Sequence, residues 1–511
     1  MRKLYSRAAI WPPFFGSAMK KNIIALLLLL IPSHSQAFSE VQNYFLDSGV
    51  RTLGRGGIAS IIALPEALSL DDPYSLKIAA KSRHARLDTT YEYQRTLRLY
   101  NGNWKGTHAE SDALETVIAA PFSVLGGDLK FVVAAGYENQ GHDIHAISEK
   151  NKIEINSRPT FDAGRAGLLV SYREMISGAF TLDANEYTTG LEVPFEVKVA
   201  PCKIISFGYK QGFHHLKSDI DLTISGKSGK IPLSYTQNQR ELYLESKIWD
   251  EKIYLRMGID PVNSFNLNGE AKVKLPYRLY VVGGIKQWKI EDMHQLFTIA
   301  DGMPGGHIDA FLKNTRYRIG FGWDITDKWN VETNYISSHL KINGGGIANA
   351  RAVVDFWPSL IVGNYNYLYS GELKVDQVQL GAEYKGDRFS FQSGFQYLHL
   401  EPSFNLNYWR SVLFGFGRTG EGNERLSTDR IDMIGLFFGF GYRLGPASFN
   451  YALGQFIPVA THENKAASSG AGGGSTGSGN GGGKDLFEQI GDKISHHPGG
   501  LIQRLQLTVE F

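Results

Sequence analysis

Over long stretches of this chain, side chains change character one residue at a time. Tyr317, Ile319, Phe321 and Trp323 fall in one phase, and Arg316, Arg318, Gly320 and Gly322 in the other. After the turn signal at 324–328, Trp329, Val331, Thr333 and Tyr335 repeat the pattern. Val378, Leu380, Ala382 and Tyr384 then alternate with Gln377, Gln379, Gly381 and Glu383. Phe389, Phe391, Phe395 and Tyr397 follow, and later Ile434, Leu436, Phe438, Phe440 and Tyr442. A period of two belongs to strands, whose successive side chains point to opposite faces. Apolar on one face, polar or glycine on the other, between tight turns, marks a wall with lipid outside and a hydrophilic inside. The expected fold is therefore all-β: a transmembrane antiparallel β-barrel of about 14–18 strands.

The alternative membrane architecture is a helical bundle, and the sequence argues against it. A spanning helix needs about 20 predominantly apolar residues. The longest such run, Ile23 to Ile31, is too short. It follows Met19-Lys20-Lys21 and precedes Ser35-Gln36-Ala37, which together read as a signal peptide over 1–37 with cleavage after Ala37. A chain entering a membrane without helices must do so as a closed barrel, because lipid satisfies no backbone polar groups. The expected location is the outer membrane of a Gram-negative bacterium, with its lipid and the barrel-assembly machinery as partners.

Charge and motifs narrow the function. Residues 1–37 hold five basic side chains and no acidic one; removing those five from the 53 basic residues leaves 48 against 51 acidic ones. That balance offers no basic footprint for nucleic acid. The single Cys202 rules out an internal disulfide and any cysteine-rich metal site. His214-His215 would face opposite sides of a strand, and His496-His497 stand before Pro498. There is no Gly-x-Ser-x-Gly elbow, no His-Glu-x-x-His and no phosphate loop. The expectation is a non-enzyme without a cofactor.

Loop length orients a barrel, since periplasmic turns are short and outer loops long. Tight turns near 121–128, 249–252, 275–278, 324–328, 385–388 and 443–446 are expected at the periplasmic end. Connections near 139–164, 291–312, 343–370, 401–429 and 459–499 are expected outside. Trp249, Tyr277, Trp288, Trp323, Trp329, Trp409 and Tyr442 are expected in interfacial girdles. Ala466 to Gly483 is a glycine- and serine-rich spacer, followed by a short amphipathic pattern in KDLFEQIGDKI.

Residues 38–83 do not alternate cleanly and are set apart as a plug segment preceding a barrel over 84–511. They contain Gly49, then Leu53-Gly54-Arg55-Gly56-Gly57, then Asp71-Asp72-Pro73-Tyr74. This order resembles the N-terminal hatch of the outer-membrane family that transports long-chain fatty acids and aromatic hydrocarbons. Asp72-Pro73-Tyr74 stands where that family has Asn-Pro-Ala. SFNLNGEAKVKLPYRLYVVGGIKQW, with Leu275-Pro276 at its turn, looks like a strand–turn–strand of the same family. The closing LQLTVEF, ending in Phe511, resembles the C-terminal strand of outer-membrane barrels. The resemblance implies a hatch closing the barrel, carried here by Gly54, Arg55, Gly56, Gly57, Asp71, Asp72 and Pro73. It also implies capture of apolar solutes by the outer loops.

The loops hold the greasy residues that capture needs. Phe356, Trp357, Tyr365 and Tyr367 lie in one, and Leu296, Phe297 and Phe311 in another. Exposed apolar surface of that extent is costly unless it packs or binds. Arg316, Arg318 and Lys286 fall in the inward phase, where a substrate carboxylate would find charge-assisted bonds. The expected function is passive uptake of hydrophobic small molecules such as fatty acids or aromatic hydrocarbons. The alternatives are a general diffusion porin for polar solutes and a non-transporting surface or adhesion barrel.

Overall fold

Cross-strand pairing joins the alternating segments into a single antiparallel wall. The structure, a computed structural model, describes 50–58, 68, and 84–461 except for 96–104, 125–128, 149–152, 159, 173–180, 184–195, 199–201, 225–226, 249–251, 263–265, 298–305, 349–361, 413–416 and 428–430; it resumes at 500–511. Residues 1–37, read from the sequence as a signal peptide, lie outside the described residues, as do Asp71, Asp72, Pro73, Phe356, Trp357 and the Gly-rich loop.

Sixteen strands close the barrel among the described residues. They are β1 (Arg86–Arg95), β2 (Lys105–Val124), β3 (Leu129–Ser148) and β4 (Ile153–Ser157, resuming as Thr160–Tyr172). Next come β5 (Cys202–Ile224), β6 (Lys227–Ile248), β7 (Ile253–Ile259) and β8 (Leu267–Lys274). Then β9 (Leu279–Phe297), β10 (Gly306–Asp324), β11 (Trp329–Ala348) and β12 (Val362–Lys385). Last are β13 (Phe389–Val412), β14 (Gly417–Ser427, resuming as Ile431–Leu444), β15 (Ala447–Thr461) and β16 (Leu501–Glu510). The two parts of β4 keep one register against both β3 and β5. The break falls where the sequence has Arg158-Pro159, and proline has no N–H to give a ladder. Each strand pairs with its neighbour, and β1 closes on β16 with Arg86 opposite Glu510.

The tight turns read from the sequence share one end of the barrel, but β5 and β6 are joined just as closely at the opposite end, where Ile224 pairs with Lys227. Arg443 to Ala447 turns through Gly445 at φ 57°, and Pro276–Arg278 is a tight turn that holds Tyr277 and Arg278 in left-handed backbone, at φ 60° and 63°. The long-loop expectation needs correction. Residues 139–148, 306–312, 343–348, 362–370 and 401–412 are strand, so several supposed loops are tall extensions of the wall. One long connection, 173–201, lies instead at the tight-turn end and contains the ribbon Thr181–Asp183 with Glu196–Lys198.

The outer band is apolar. Tyr317, Ile319, Phe321 and Trp323 on β10 are exposed, as are Leu380 on β12 and Phe391 on β13. Aromatic contacts edge its lower rim, with Trp329 5.1 Å from Tyr384 and Phe389 4.9 Å from Tyr442. The upper rim carries tyrosines that donate to carboxylates just above them: Tyr335 to Asp376 at 2.8 Å, Tyr397 to Asp432 at 2.8 Å, and Tyr137 to Asp162 at 2.6 Å. Rings with an apolar body and a polar tip suit a lipid–water boundary. Trp288 departs from the girdle expectation: it is 3% exposed and faces the lumen. The short β7–β8 hairpin ends at Ile259 and Leu267, so β9 runs on above Gln287 without that neighbour.

Candidate functional site

The lumen is built from the inward phase of the same strands. On the β9–β13 wall it has two tiers, and the faces exchange polarity between them. Below, β11 turns Asn330, Glu332 and Asn334 inward, while Gln377, Gln379 and Glu383 come from β12 and Gln392 and Gln396 from β13. Above, the inward residues are Leu340 and Ile342 on β11, Val375, Tyr369 and Tyr367 on β12, Leu398 and Leu400 on β13, and Leu312 on β10. At the same level the outward residues change to His339, Lys341, Glu372, Lys374, His399 and Glu401. The barrel is thus apolar outside and polar inside at membrane height, and the reverse above it. On β11 the wall continues from Tyr335 to Ala348, about 30 Å at the usual strand rise and tilt. There the outside meets water, so the greasy face of an alternating strand turns inward.

The lower tier is closed by charge pairs that reach the N-terminal segment. Val50–Gly54 forms a single helical turn, α1. It ends in a Schellman cap: Gly57 N–H donates to Thr52 O and Gly56 N–H to Leu53 O, each at 2.9 Å. The cap requires left-handed backbone, which Gly56 and Gly57 supply at φ 70° and 83°. Arg55, immediately before, is 1% exposed; it donates to Asn330 at 2.7 Å and stands 3.7 Å from Glu332. Glu332 also accepts from Tyr280 at 2.8 Å, Arg318 at 2.9 Å and Asn334 at 3.2 Å. Lys272 lies 3.1 Å from the centre of the Tyr280 ring. Arg51 pairs with Glu383.

Glycines in the wall make room for this segment. A Cβ on Gly394 would meet the backbone nitrogen of Gly56 at 2.1 Å, and one on Gly381 the Arg55 carbonyl at 2.5 Å. Across the lumen, Leu68 donates its N–H to Asp88 and packs with Val117, Ala119, Val132, Ala134, Leu169 and Tyr243. Arg86 holds that carboxylate at 3.0 Å and reaches Glu510 at 3.7 Å. Residues 58 and 68 therefore touch opposite walls, one on the β11–β15 side and one on the β1–β6 side.

The structure sorts the sequence candidates. Gly54, Arg55, Gly56 and Gly57 lie inside the barrel against the wall. Arg316 and Arg318 both face inward, at the boundary between the tiers, with Arg318 3.9 Å from Glu270. Tyr367 and Tyr369 face inward with their rings stacked 6.5 Å apart, and their hydroxyls donate to His307 O at 3.0 Å and Asp309 O at 2.9 Å. Phe311 shares the outward face with Tyr317 and is not in the lumen. Leu296 and Phe297 end β9, and Tyr365 lies on β12. Sequence reasoning missed Glu332, Tyr280, Lys272, Trp288 and Val375. Their signal was the inward phase itself, which marks a face without saying which of its members meet.

No family model and no curated protein matches the chain. Among solved structures it is similar to the Pseudomonas putida toluene transporter TodX, at 10% identity and TM-score 0.39, over 91% of this chain and 97% of that one. The Ralstonia pickettii toluene transporter TbuX gives 10% identity and TM-score 0.40, over 91% and 98%. A Pseudomonas aeruginosa FadL homologue gives 10% and 0.41 over the same shares. Overlap this loose leaves the case for function to the lumen.

Proposed function

We propose that this barrel passes hydrophobic small molecules across the outer membrane without an energy source. One observation carries the reading: the exchange of face polarity, which lines the upper lumen with Leu312, Leu340, Ile342, Val375, Leu398 and Leu400. A solute with about 200 Å² of apolar surface gains about 5 kcal/mol on leaving water for such a lining. A sugar would lose hydrogen bonds there, at a cost of about 1–3 kcal/mol for each one left unmade. Arg316 stands where the apolar tier gives way to the polar one, and suits the head of an amphiphile whose tail lies above it. Residues 50–58, seated on Gly381 and Gly394, serve as the hatch that such a solute must pass or bypass.

The porin alternative calls for an open aqueous path. Gln377, Gln379 and Gln396 are instead fully buried in the lumen. The test is reconstitution into liposomes. Saturable uptake of a labelled fatty acid or aromatic hydrocarbon, with no swelling in sugars, supports the proposal. Free swelling in sugars without saturable uptake overturns it.

A further inference from the structure

Directly below the apolar tier, three uncharged side chains stand side by side in the lumen. Asn334 on β11 is the cross-strand partner of Gln379 on β12, and Gln379 is the partner of Gln396 on β13. Asn334 is 2% exposed and both glutamines 0%. Partners in such a row have their Cβ atoms about 5 Å apart. Gly320 on β10 continues the row and makes room for it: a Cβ there would come within 1.8 Å of Asn334 Oδ1. One pair higher, Ile336 and Leu398 turn inward on either side of Gln377, and above those stand Val375 and Leu400. One pair lower, Gly381 and Gly394 seat Arg55 and Gly56 of the N-terminal segment. The amides are therefore the floor of the apolar chamber and lie just above that segment.

Buried amides ordinarily find partners for both ends. Here Asn334 donates to Glu332 at 3.2 Å, but among the described residues no hydrogen bond reaches its Oδ1 or either end of the Gln379 carboxamide. The row thus holds two open acceptors, Asn334 Oδ1 and Gln379 Oε1, beside an open donor, Gln379 Nε2. The charged groups nearest it hold one another: Arg318 is 2.9 Å from Glu332 and 3.9 Å from Glu270, and Arg55 stands 3.7 Å from the same Glu332. A carboxylate, which only accepts, would set its charge against two carbonyl oxygens. A ketone or ether oxygen also only accepts, and a bare hydrocarbon engages neither kind of atom. A hydroxyl both donates and accepts, so it answers both.

We propose that this amide floor binds the hydroxyl of an uncharged hydrophobic alcohol, with the apolar tail in the tier above. The floor lies two pairs below Arg316, so it is the next polar stop for a head that has reached that level. The inference rests on the transport reading and narrows it: alcohols are preferred over hydrocarbons and carboxylates of the same chain length. Gln379 sets the preference, since its amide offers both an open acceptor and an open donor. Asn334 adds the second acceptor.

The test uses full-length protein in detergent, with tritiated 1-decanol as the probe and unlabelled 1-decanol, decane and decanoate at pH 8 as competitors. The expected result is displacement by decanol at about one tenth of the concentration that the other two require, as one hydrogen bond made in place of an unmade one would give. Gln379→Leu, which nearly keeps the size of the side chain and removes its hydrogen bonds, should bring decanol to the level of decane. Equal displacement by decanol and decane in the wild-type protein overturns the proposal, since bound water would then satisfy the amides. Decanoate ahead of decanol overturns it too, as does a decanol preference that survives Gln379→Leu. The wild-type comparisons need no variant, and heat-modifiable mobility checks that the variant folds. Tritiated decane tells the two readings apart: binding of decane without decanol sinks this inference alone, whereas binding of neither sinks the transport reading with it.

Discussion

Arg55 and Glu332 show how much one buried pair holds. Each is 1% exposed, and Glu332 gathers Tyr280, Arg318 and Asn334 around the same carboxylate. Removing one member of a buried pair leaves the other charge uncompensated, at about 3–5 kcal/mol. Arg55→Met is expected to lower the stability of the folded barrel by that order, read as a shift of the urea unfolding midpoint in detergent; an unchanged midpoint would show that Arg55 is not seated as described. Gly394 tests the seat itself. Gly394→Val places carbon where the Gly56 backbone now lies, so residues 50–58 must leave the wall. Faster entry of small sugars into proteoliposomes, with the barrel still heat-modifiable, is the expected result.

Among the elements, β11 and β12 carry the argument, because each changes the character of both faces halfway along. Val375→Asp puts a carboxylate into the apolar tier beside Ser338 and Leu400. A drop of at least about tenfold in hydrocarbon uptake is expected from the cost of meeting a buried charge, with little effect on β12 pairing. Lys374→Asp, its neighbour on the outer face, should leave uptake unchanged, and equal losses in both variants would sink the two-tier lumen. The alternation that defines these strands was legible in the sequence. The exchange of faces was not, since the same period-two pattern continues through it, and which phase points inward is set by closure of the wall. That is why Phe311 was placed with the capture residues, and why the tall wall at 343–348 and 362–370 was expected to be loop.

For the whole molecule, stability in a bilayer depends on the outer band. Phe321→Arg, at the middle of the exposed face of β10, should cost about 2–4 kcal/mol of folding into vesicles, as an arginine near the bilayer midplane does. Deleting 466–483 should leave both folding and uptake intact, measured in the same vesicles; lost uptake would tie the spacer to transport. What the chain determines by itself is local and periodic: side chains alternate, turns fall between the runs, and Gly56-Gly57 can end a helix in left-handed backbone. These are properties of neighbours along the backbone. Only the closed barrel decided that Arg55 meets Glu332, that Gly394 receives Gly56, and that three amides from three strands form one row. Those contacts join residues far apart in sequence, and the register and curvature that bring them together exist only once β1 pairs with β16.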